Sequence, residues 1–488
     1  MKLKELLAGI EHEVEQYCHD EEVTLITYDS RKAVPDAVFV CIPGLKADGH
    51  EFAGEAVRNG AKTLIVEKPM EINQDVNIIK VKNARKAMSN LAAEFYGNPS
   101  RSLDLIGVTG TNGKTTITYL LKAILEEEQK NVGLIGTISN WIGNKEISTE
   151  RTTPESPDFQ HLLKIMLENR VETCVMEVSS HSLSLHRVNG TTFQVGIFTN
   201  LTEDHLDFHP TTEHYYEAKK KLFTMTKKAN VINLDDPYGV RLTKALQGSE
   251  VPVVTYGLDS VCTLQATNIF MDFKGIRFTA TGMGMNHTVH LSIPGKFSIY
   301  NALAAIAAAR TMGMSQEHIV KALEKTSGIP GRFQRINEFT TFGVIVDYAH
   351  TTDALENVLE AIRQFAGKRV ITVFGCGGDR DRGKREKMGQ VSGRLSDYTI
   401  LTSDNPRSED PHHILSMIED GIKKTQSEYE IVESRREAIR KAILLAEEDD
   451  IILIAGKGHE TTQTIGNKTD HFDDYEVAIE VAREEKII

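Results

Sequence analysis

Residues 107–116 read GVTGTNGKTT, three glycines and one lysine set among threonines. Glycines let a backbone approach a ligand closely, and backbone N–H groups backed by a lysine suit a phosphate. The usual phosphate-loop spelling, G-x-x-x-x-G-K-[ST], wants a glycine where this chain has Val108; the glycine stands at Gly110 instead. The surroundings still fit. An apolar run, LDLIGVTG, leads in, and a helical pattern, KTTITYLLKAILEEEQK, leads out, so the loop opens a helix whose first N–H groups face a ligand. The stretch reads as a nucleotide-phosphate loop with a cradle of Gly110, Thr111, Asn112 and Gly113. Lys114 would meet the β- and γ-phosphates, and the hydroxyl of Thr115 or Thr116 would ligate Mg²⁺.

Such a metal asks for a carboxylate. ETCVMEVSSHSL delivers Glu177 to the end of a mostly apolar strand. NLTEDHLDFHPTTEHYYEAKKKLF then gathers His205, Asp207, His209 and the lysines 219–221. No H-E-x-x-H or Cys–His spacing accompanies these histidines, which argues against zinc and for a hard Mg²⁺ that keeps several waters, with one imidazole assisting. The lysine triplet by itself reads as a solvated helix face with one member turned inward.

These groups need a scaffold. From about residue 103, LDLIGVTG, VGLIG, ETCVMEV, VGIFTN and NVINLDD alternate with helices, the pattern of a parallel sheet covered on both faces. Earlier, VTLITYDS, AVFVCIPG, KTLIVEK and VNIIKVK read as strands, followed by a helix, ARKAMSNLAAEFYGNPS, stopped at Gly97 and Pro99. After a cluster of Gly328, Pro330 and Gly331 the alternation restarts with FGVIVDYAH, RVITVFGCGG, DYTILTSDNPR and DDIILIAGKGHE. These four strands end in polar or Gly-rich motifs, where ligands gather in open α/β sheets. The expectation is three α/β domains at 1–100, 101–331 and 332–488.

Composition sets the outer limits. The 488 residues carry a formal charge of −13, with 40% hydrophobic and 26% charged residues, ordinary values for a soluble chain. The acidic balance disfavours nonspecific nucleic-acid binding. Five cysteines, odd in number and never in C-x-x-C, point to reduced thiols in the cytoplasm. The first residues do not read as a signal peptide, and no apolar run is long enough to span a bilayer.

Taken in order, GTNGKTT, MEVSSH, DHLDFH, YNALAA, GRF and DYAHTTDAL resemble the Mur ligases, ATP-dependent amide-forming enzymes of peptidoglycan precursor synthesis. The resemblance spans nearly the whole chain, and the shifted glycine is that family's own form, shared with folylpolyglutamate synthetases. It implies a UDP-substrate domain, a central phosphate-loop ATPase domain with a parallel sheet, and a Rossmann-like domain for the incoming amino acid. SDNPRSEDP with Arg407, CGGDRDRGKR and AGKGHE resemble the member that adds meso-diaminopimelate to UDP-N-acetylmuramoyl-L-alanyl-D-glutamate. Lysine is the rival amine, and a non-catalytic nucleotide-binding protein the rival class. The expected partners are these two substrates with ATP and Mg²⁺, with no nucleic acid, no membrane insertion and a monomeric chain.

The resemblance also implies roles residue by residue. Lys114, Glu177, His205 and Lys219 would form the catalytic set, with Thr115, Glu177, His205 and Lys219 at the metal. Lys219 matches a carbamylated lysine, with Lys220 and Lys221 beside it in the same triplet. Ser30 and Leu45, Lys46 and Ala47 match uridine-nucleotide contacts. Thr152, Thr153, Ser179 and Arg187 match contacts to the muramoyl-dipeptide. Asn301, Arg332 and Asp347 match adenosine-side positions; without the resemblance, Asn301 reads as a polar residue at a helix N-terminus. Arg380, Asp404, Asn405, Pro406, Arg407, Gly456 and Glu460 match the amino-acid site. Leu185, where some relatives have a polar contact, and Thr352, where a proline is frequent, depart from the pattern.

Overall fold

Each third of the chain builds its own sheet in the computed structural model, which describes residues 1–488 except 21, 45–46, 73, 206–207 and 327. The first sheet has five strands in the order Glu13–Gln16, Asn77–Lys80, Thr63–Val66, Val38–Val40 and Ile26–Thr27, parallel apart from the first. The edge strand Glu13–Gln16 is polar and largely exposed, so no apolar alternation announces it in the sequence. Helix Ala84–Phe95 covers this sheet with Ala84, Ala87, Met88 and Leu91, the i, i+3, i+4, i+7 face expected of an amphipathic helix. Asn83 caps it, accepting from the Lys86 N–H at 2.8 Å.

The phosphate-loop strand, Asp104–Thr109, lies inside an eleven-stranded sheet. Its parallel neighbours are Thr173–Glu177 and Phe193–Phe198, so three carboxyl ends meet at one edge. Helix Lys114–Glu127 buries Ile117, Leu120, Leu121, Ile124 and Leu125 against the sheet and against the Ala-rich helix Lys296–Thr311. Each such aliphatic side chain contributes roughly 1.5–3 kcal/mol by leaving water. The sheet is not parallel throughout. Asn140–Ile142 and Lys145–Ile147 form an antiparallel wing at one side, and Leu264–Asp272, Gly275–Gly282 and Met285–Leu291 form a meander at the other. The meander's alternating burial is the period-two signal of half-exposed antiparallel strands.

The third sheet is parallel in the order Gly343–Asp347, Ile451–Ala455, Val370–Phe374, Tyr398–Leu401 and Glu428–Ile431, with the short strand Gln334–Arg335 antiparallel at the edge. Its first four strands are fully or nearly fully buried, as a sheet covered on both faces requires. A separate hairpin, Thr462–Ile465 with Lys468–His471, stands beside its carboxyl ends. Among the described residues no helix is long and apolar enough to cross a membrane.

Candidate active site

The phosphate loop joins the end of strand Asp104–Thr109 to helix Lys114–Glu127, and two glycines make its shape possible. Gly110 has φ 149°, and a Cβ there would stand 1.8 Å from Thr199 Oγ1; Gly113 has φ 87°, with a Cβ 2.4 Å from Asn301 Oδ1. Both positions need left-handed backbone and empty space, which only glycine offers together. The loop is tied to the next strand end: Thr111 N–H donates to Asn200 O at 2.9 Å, Asn112 N–H to Asn200 Oδ1 at 2.9 Å, and Thr199 Oγ1 to Asn112 O at 2.7 Å. Helix Lys114–Glu127 has no side-chain cap, so its first-turn N–H groups and the positive end of its dipole are left for an anion.

Lys114 Nζ donates to Gly110 O at 2.9 Å and Thr111 O at 2.6 Å. Burial lowers its pKa from the ordinary lysine value, while the carboxylates of Glu177 and Asp204 pull the other way. Glu177, 1% exposed at the end of its strand, accepts from Thr115 Oγ1 at 3.0 Å and Thr137 N–H at 2.8 Å on one oxygen, and from Thr137 Oγ1 at 3.0 Å on the other. Thr137 is a site residue that the motif reading misses; its sole signal is its place just past the strand VGLI.

Lys219 is buried and its neighbours in the triplet are not: Lys219 is 1% exposed, Lys220 pairs with Glu217 near the surface, and Lys221 is exposed. Lys219 Nζ donates to Gly110 O at 2.7 Å and lies 4.3 Å over the Tyr215 ring. Burial, and then the Lys114 cation, drive its pKa well below the ordinary lysine value. Asp204 leans on His205, whose ring packs edge-on against His181 at 4.7 Å. Asp207, Leu45 and Lys46 lie outside the described residues.

Two adjoining cavities open here. One, about 250 Å³, is lined by Thr111–Thr116, Thr137, Thr152, Glu177, Ser179, Asp204, His205 and Lys219, and across from them by Arg332, Tyr348 and His350 of the third domain. The other, about 450 Å³, takes Asn112, Gly113, Thr116, Asn301, Arg332 and Asp347 among its walls. Asn301 sits inside helix Lys296–Thr311 against Gly113, not at a helix start. Asp347 is held by Phe333 N–H at 2.6 Å and Ala349 N–H at 2.8 Å, and burial raises its pKa. Arg332 Nη2 reaches Thr115 Oγ1 at 3.4 Å and its guanidinium stacks on Tyr348. A second bridge between the domains is Asp353, which accepts from Asn112 Nδ2 at 2.8 Å and Thr202 Oγ1 at 3.0 Å. Burial lowers His459, which is half-buried, to about 4, so its imidazole is neutral at pH 7.

Thr153 and Arg187 meet in a separate knot. Arg187 Nη1 donates to Thr153 O at 3.0 Å, and its Nη2 pairs with Glu155 at 2.9 Å. Glu155, 4% exposed, also pairs with Arg151 at 2.7 Å and with Arg85, from the first domain's helix, at 3.2 Å. Three guanidiniums on one carboxylate leave a local excess of positive charge. Arg187 Nε is buried with no hydrogen-bond partner among the described residues, a donor still to be used. Ser30 and Ala47 line neither cavity; Ser30 Oγ donates to Glu55 at 2.6 Å, and Ala47 is exposed on a bend.

At the carboxyl ends of the third sheet, Asn405 Nδ2 donates to Glu460 Oε2 at 2.8 Å, and buried Lys457 reaches the same oxygen at 3.3 Å. Gly456 N–H donates to Asp347 O at 3.0 Å, which joins this end to the nucleotide side. Asp404, Asn405 and Pro406 are buried, Arg407 is half-buried and Arg380 exposed. Arg407 Nη1 donates to Gly378 O at 2.7 Å.

Comparison with known proteins agrees over the full length. The Mur ligase family catalytic domain is matched by residues 22–96, the Mur ligase middle domain by 108–309, and the Mur ligase glutamate ligase domain by 331–458. The chain is 50% identical over 488 residues, all of both chains, to a UDP-N-acetylmuramoyl-L-alanyl-D-glutamate–2,6-diaminopimelate ligase of Alkaliphilus oremlandii. It is 50% identical to the like-named protein of Alkaliphilus metalliredigens, over 99% of this chain and 98% of that one. A solved structure bearing the same name superposes with a TM-score of 0.73 at 31% identity, covering 100% and 99% of the two chains. A D-alanyl-D-alanyl-adding ligase from Acinetobacter baumannii, at 21% identity and a TM-score of 0.62 over 90% and 91%, shares the fold.

Proposed function

The chain belongs to the Mur ligase family, and from that premise we propose that it joins meso-diaminopimelate to UDP-N-acetylmuramoyl-L-alanyl-D-glutamate at the expense of ATP, in peptidoglycan precursor synthesis. The observation that carries this reading is the small cavity where Lys114, Glu177 and Lys219 face Arg332 and Tyr348 across the domain boundary. A carboxylate is a poor acylating agent; phosphorylation turns it into an acyl phosphate that a free amine attacks, with phosphate leaving. The protein's share is positioning and charge neutralisation.

In that scheme the cradle 110–113 and the open helix end hold the nucleotide phosphates, and Lys114 leaves its two loop carbonyls for them. Asn301, Arg332 and Asp347 border the adenosine, and Ser30 and Ala47 would border the uridine end. Thr152, Thr153, Ser179 and Arg187 hold the dipeptide. Among the described residues no three His, Cys, Asp or Glu side chains converge as a cage. That suits Mg²⁺, which is commonly bound through one or two carboxylates and substrate phosphates. Glu177, Thr115, His205 and a carbamylated Lys219 would hold it. Bound there, Mg²⁺ would neutralise charge on the transferring phosphoryl group. The division at 1–100, 101–331 and 332–488, a cytoplasmic setting and a monomeric chain complete the reading. The separate sheet in each third supports the division.

The test is phosphate release from ATP with the UDP-dipeptide and each amino acid in turn; release with lysine but not meso-diaminopimelate overturns the choice of amine. The diagnostic variant is Arg407→Ala. Meso-diaminopimelate differs from lysine by a distal carboxylate, which a guanidinium holds through two parallel hydrogen bonds; Arg380 is a second candidate reader, and Asp404, Asn405 and Glu460 suit the distal ammonium. The KM for meso-diaminopimelate should rise about a hundredfold, since such a contact is worth roughly 2–4 kcal/mol. The KM values for ATP and the UDP-dipeptide should stay near wild type. A mutant that still prefers meso-diaminopimelate over lysine as strongly as wild type shows that Arg407 is not the reader.

A further inference from the structure

Arg380 and Arg407 sit on loops that leave neighbouring parallel strands, Val370–Phe374 and Tyr398–Leu401, and neither loop is helical or extended over its length. Something must fix the distance between them. The loops are stitched together directly: Gly378 N–H donates to Asn405 O at 2.9 Å, Arg407 Nη1 to Gly378 O at 2.7 Å, and Ser408 Oγ to Asp379 Oδ1 at 2.8 Å. Asp379 and Arg407 both hold left-handed backbone, at φ 54° and 51°, which non-glycine residues keep only when their surroundings impose it.

The stitches converge on Glu409. Its Oε1 accepts from Asp379 N–H at 2.6 Å, immediately before Arg380, and from Arg385 Nη2 at 2.9 Å; its Oε2 accepts from Arg385 Nη1 at 3.0 Å. Arg382 adds an ion pair at 3.4 Å. Arg385 is fully buried, and its Nη2 also donates to Gly377 O at 3.2 Å. A carboxylate from one loop is thus gripped by the backbone of the other and by a guanidinium in the first turn of helix Gly383–Leu395. The fork lines neither cavity, so it meets no nucleotide.

We infer that Glu409, through its fork with Arg385, is a positioning residue that sets the spacing of Arg380 and Arg407 and so tunes recognition of an amino acid with a second, distal carboxylate. This rests on the proposed function above. A purely structural pair would alter stability and spare the choice of amine.

Glu409→Gln keeps the shape but loses the charge that binds the fork. We expect the KM for meso-diaminopimelate to rise about tenfold, and its preference over lysine to fall by a similar factor, because charge-assisted contacts at both readers slacken together. The KM values for ATP and the UDP-dipeptide should stay within about twofold of wild type, as neither site touches the fork. Removing one partner of a buried pair can unfold a loop, so the double variant Arg385→Met with Glu409→Leu, which leaves no buried charge unpaired, is measured alongside. It should show the same selective shift. Unchanged KM and preference for meso-diaminopimelate in whichever variant is folded, or an equal loss toward all three substrates, overturns the inference alone. A wild-type enzyme that releases no phosphate with meso-diaminopimelate overturns the functional reading, and this inference with it.

Discussion

Lys114→Ala is expected to abolish ADP formation while the protein stays folded. Lys114 is the one lysine of the phosphate loop, half-buried, and donates to two carbonyls of its own loop. Losing those two bonds should cost little folding energy, because helix Lys114–Glu127 is anchored by five apolar side chains further along. Phosphoryl transfer moves negative charge, and one preorganised donor aimed at developing charge is worth roughly a hundredfold to a thousandfold in rate. The check is ADP release at saturating substrates, together with a thermal unfolding scan. Near-normal turnover in a folded mutant sinks the phosphate-loop assignment.

The parts of this site that are legible in the sequence are those whose chemistry is local. The loop lies within ten consecutive residues, and Glu177 announces itself at the end of an apolar strand. The parallel strands of the second and third sheets are visible for a similar reason: strands buried on both faces read as unbroken apolar runs. Half-exposed elements are not visible in this way. The edge strand Glu13–Gln16 is polar, and the meander's first strand, Leu264–Asp272, loses its alternation after Ala266.

Contacts made at long range are the other blind spot. Asn112 and Asp353 meet across 241 positions, and nothing near either residue foretells it. Glu155 reads as an ordinary acid ahead of a helix, yet its partners at positions 85, 151 and 187 come from three separate segments. The triplet at 219–221 shows the same limit on a smaller scale. Its composition says only that one lysine turns inward; the family resemblance points to Lys219, and helix Thr212–Lys220, which buries Tyr215, Tyr216, Ala218 and Lys219, turns that same residue in.

That inward lysine carries the second large effect. Lys219→Ala should be nearly inactive, and small carboxylates added to the buffer should restore part of the activity; Lys220→Ala and Lys221→Ala should resemble wild type. Carbamylation joins the neutral amine to CO₂, forming an N–C bond and releasing one proton, so a lysine that stays an ammonium cannot react. Burial and the nearby Lys114 cation disfavour the ammonium of Lys219, which enlarges the reactive fraction near neutral pH. The same repulsion becomes attraction once the group is an anion, so Lys114 and a carbamylated Lys219 would stabilise each other. The pH dependence has a definite sign. With the folded-state pKa lowered, the neutral amine is kept at high pH and lost as pH falls through that value, and with it the capacity to re-form the carbamate. Activity in bicarbonate-free buffer should therefore decline toward acid, and added bicarbonate should offset the decline near neutrality. If carboxylate rescue appears at Lys220→Ala or Lys221→Ala instead, the modified residue is that one; if depleting CO₂ leaves wild-type turnover unchanged at every pH, no carbamate is needed.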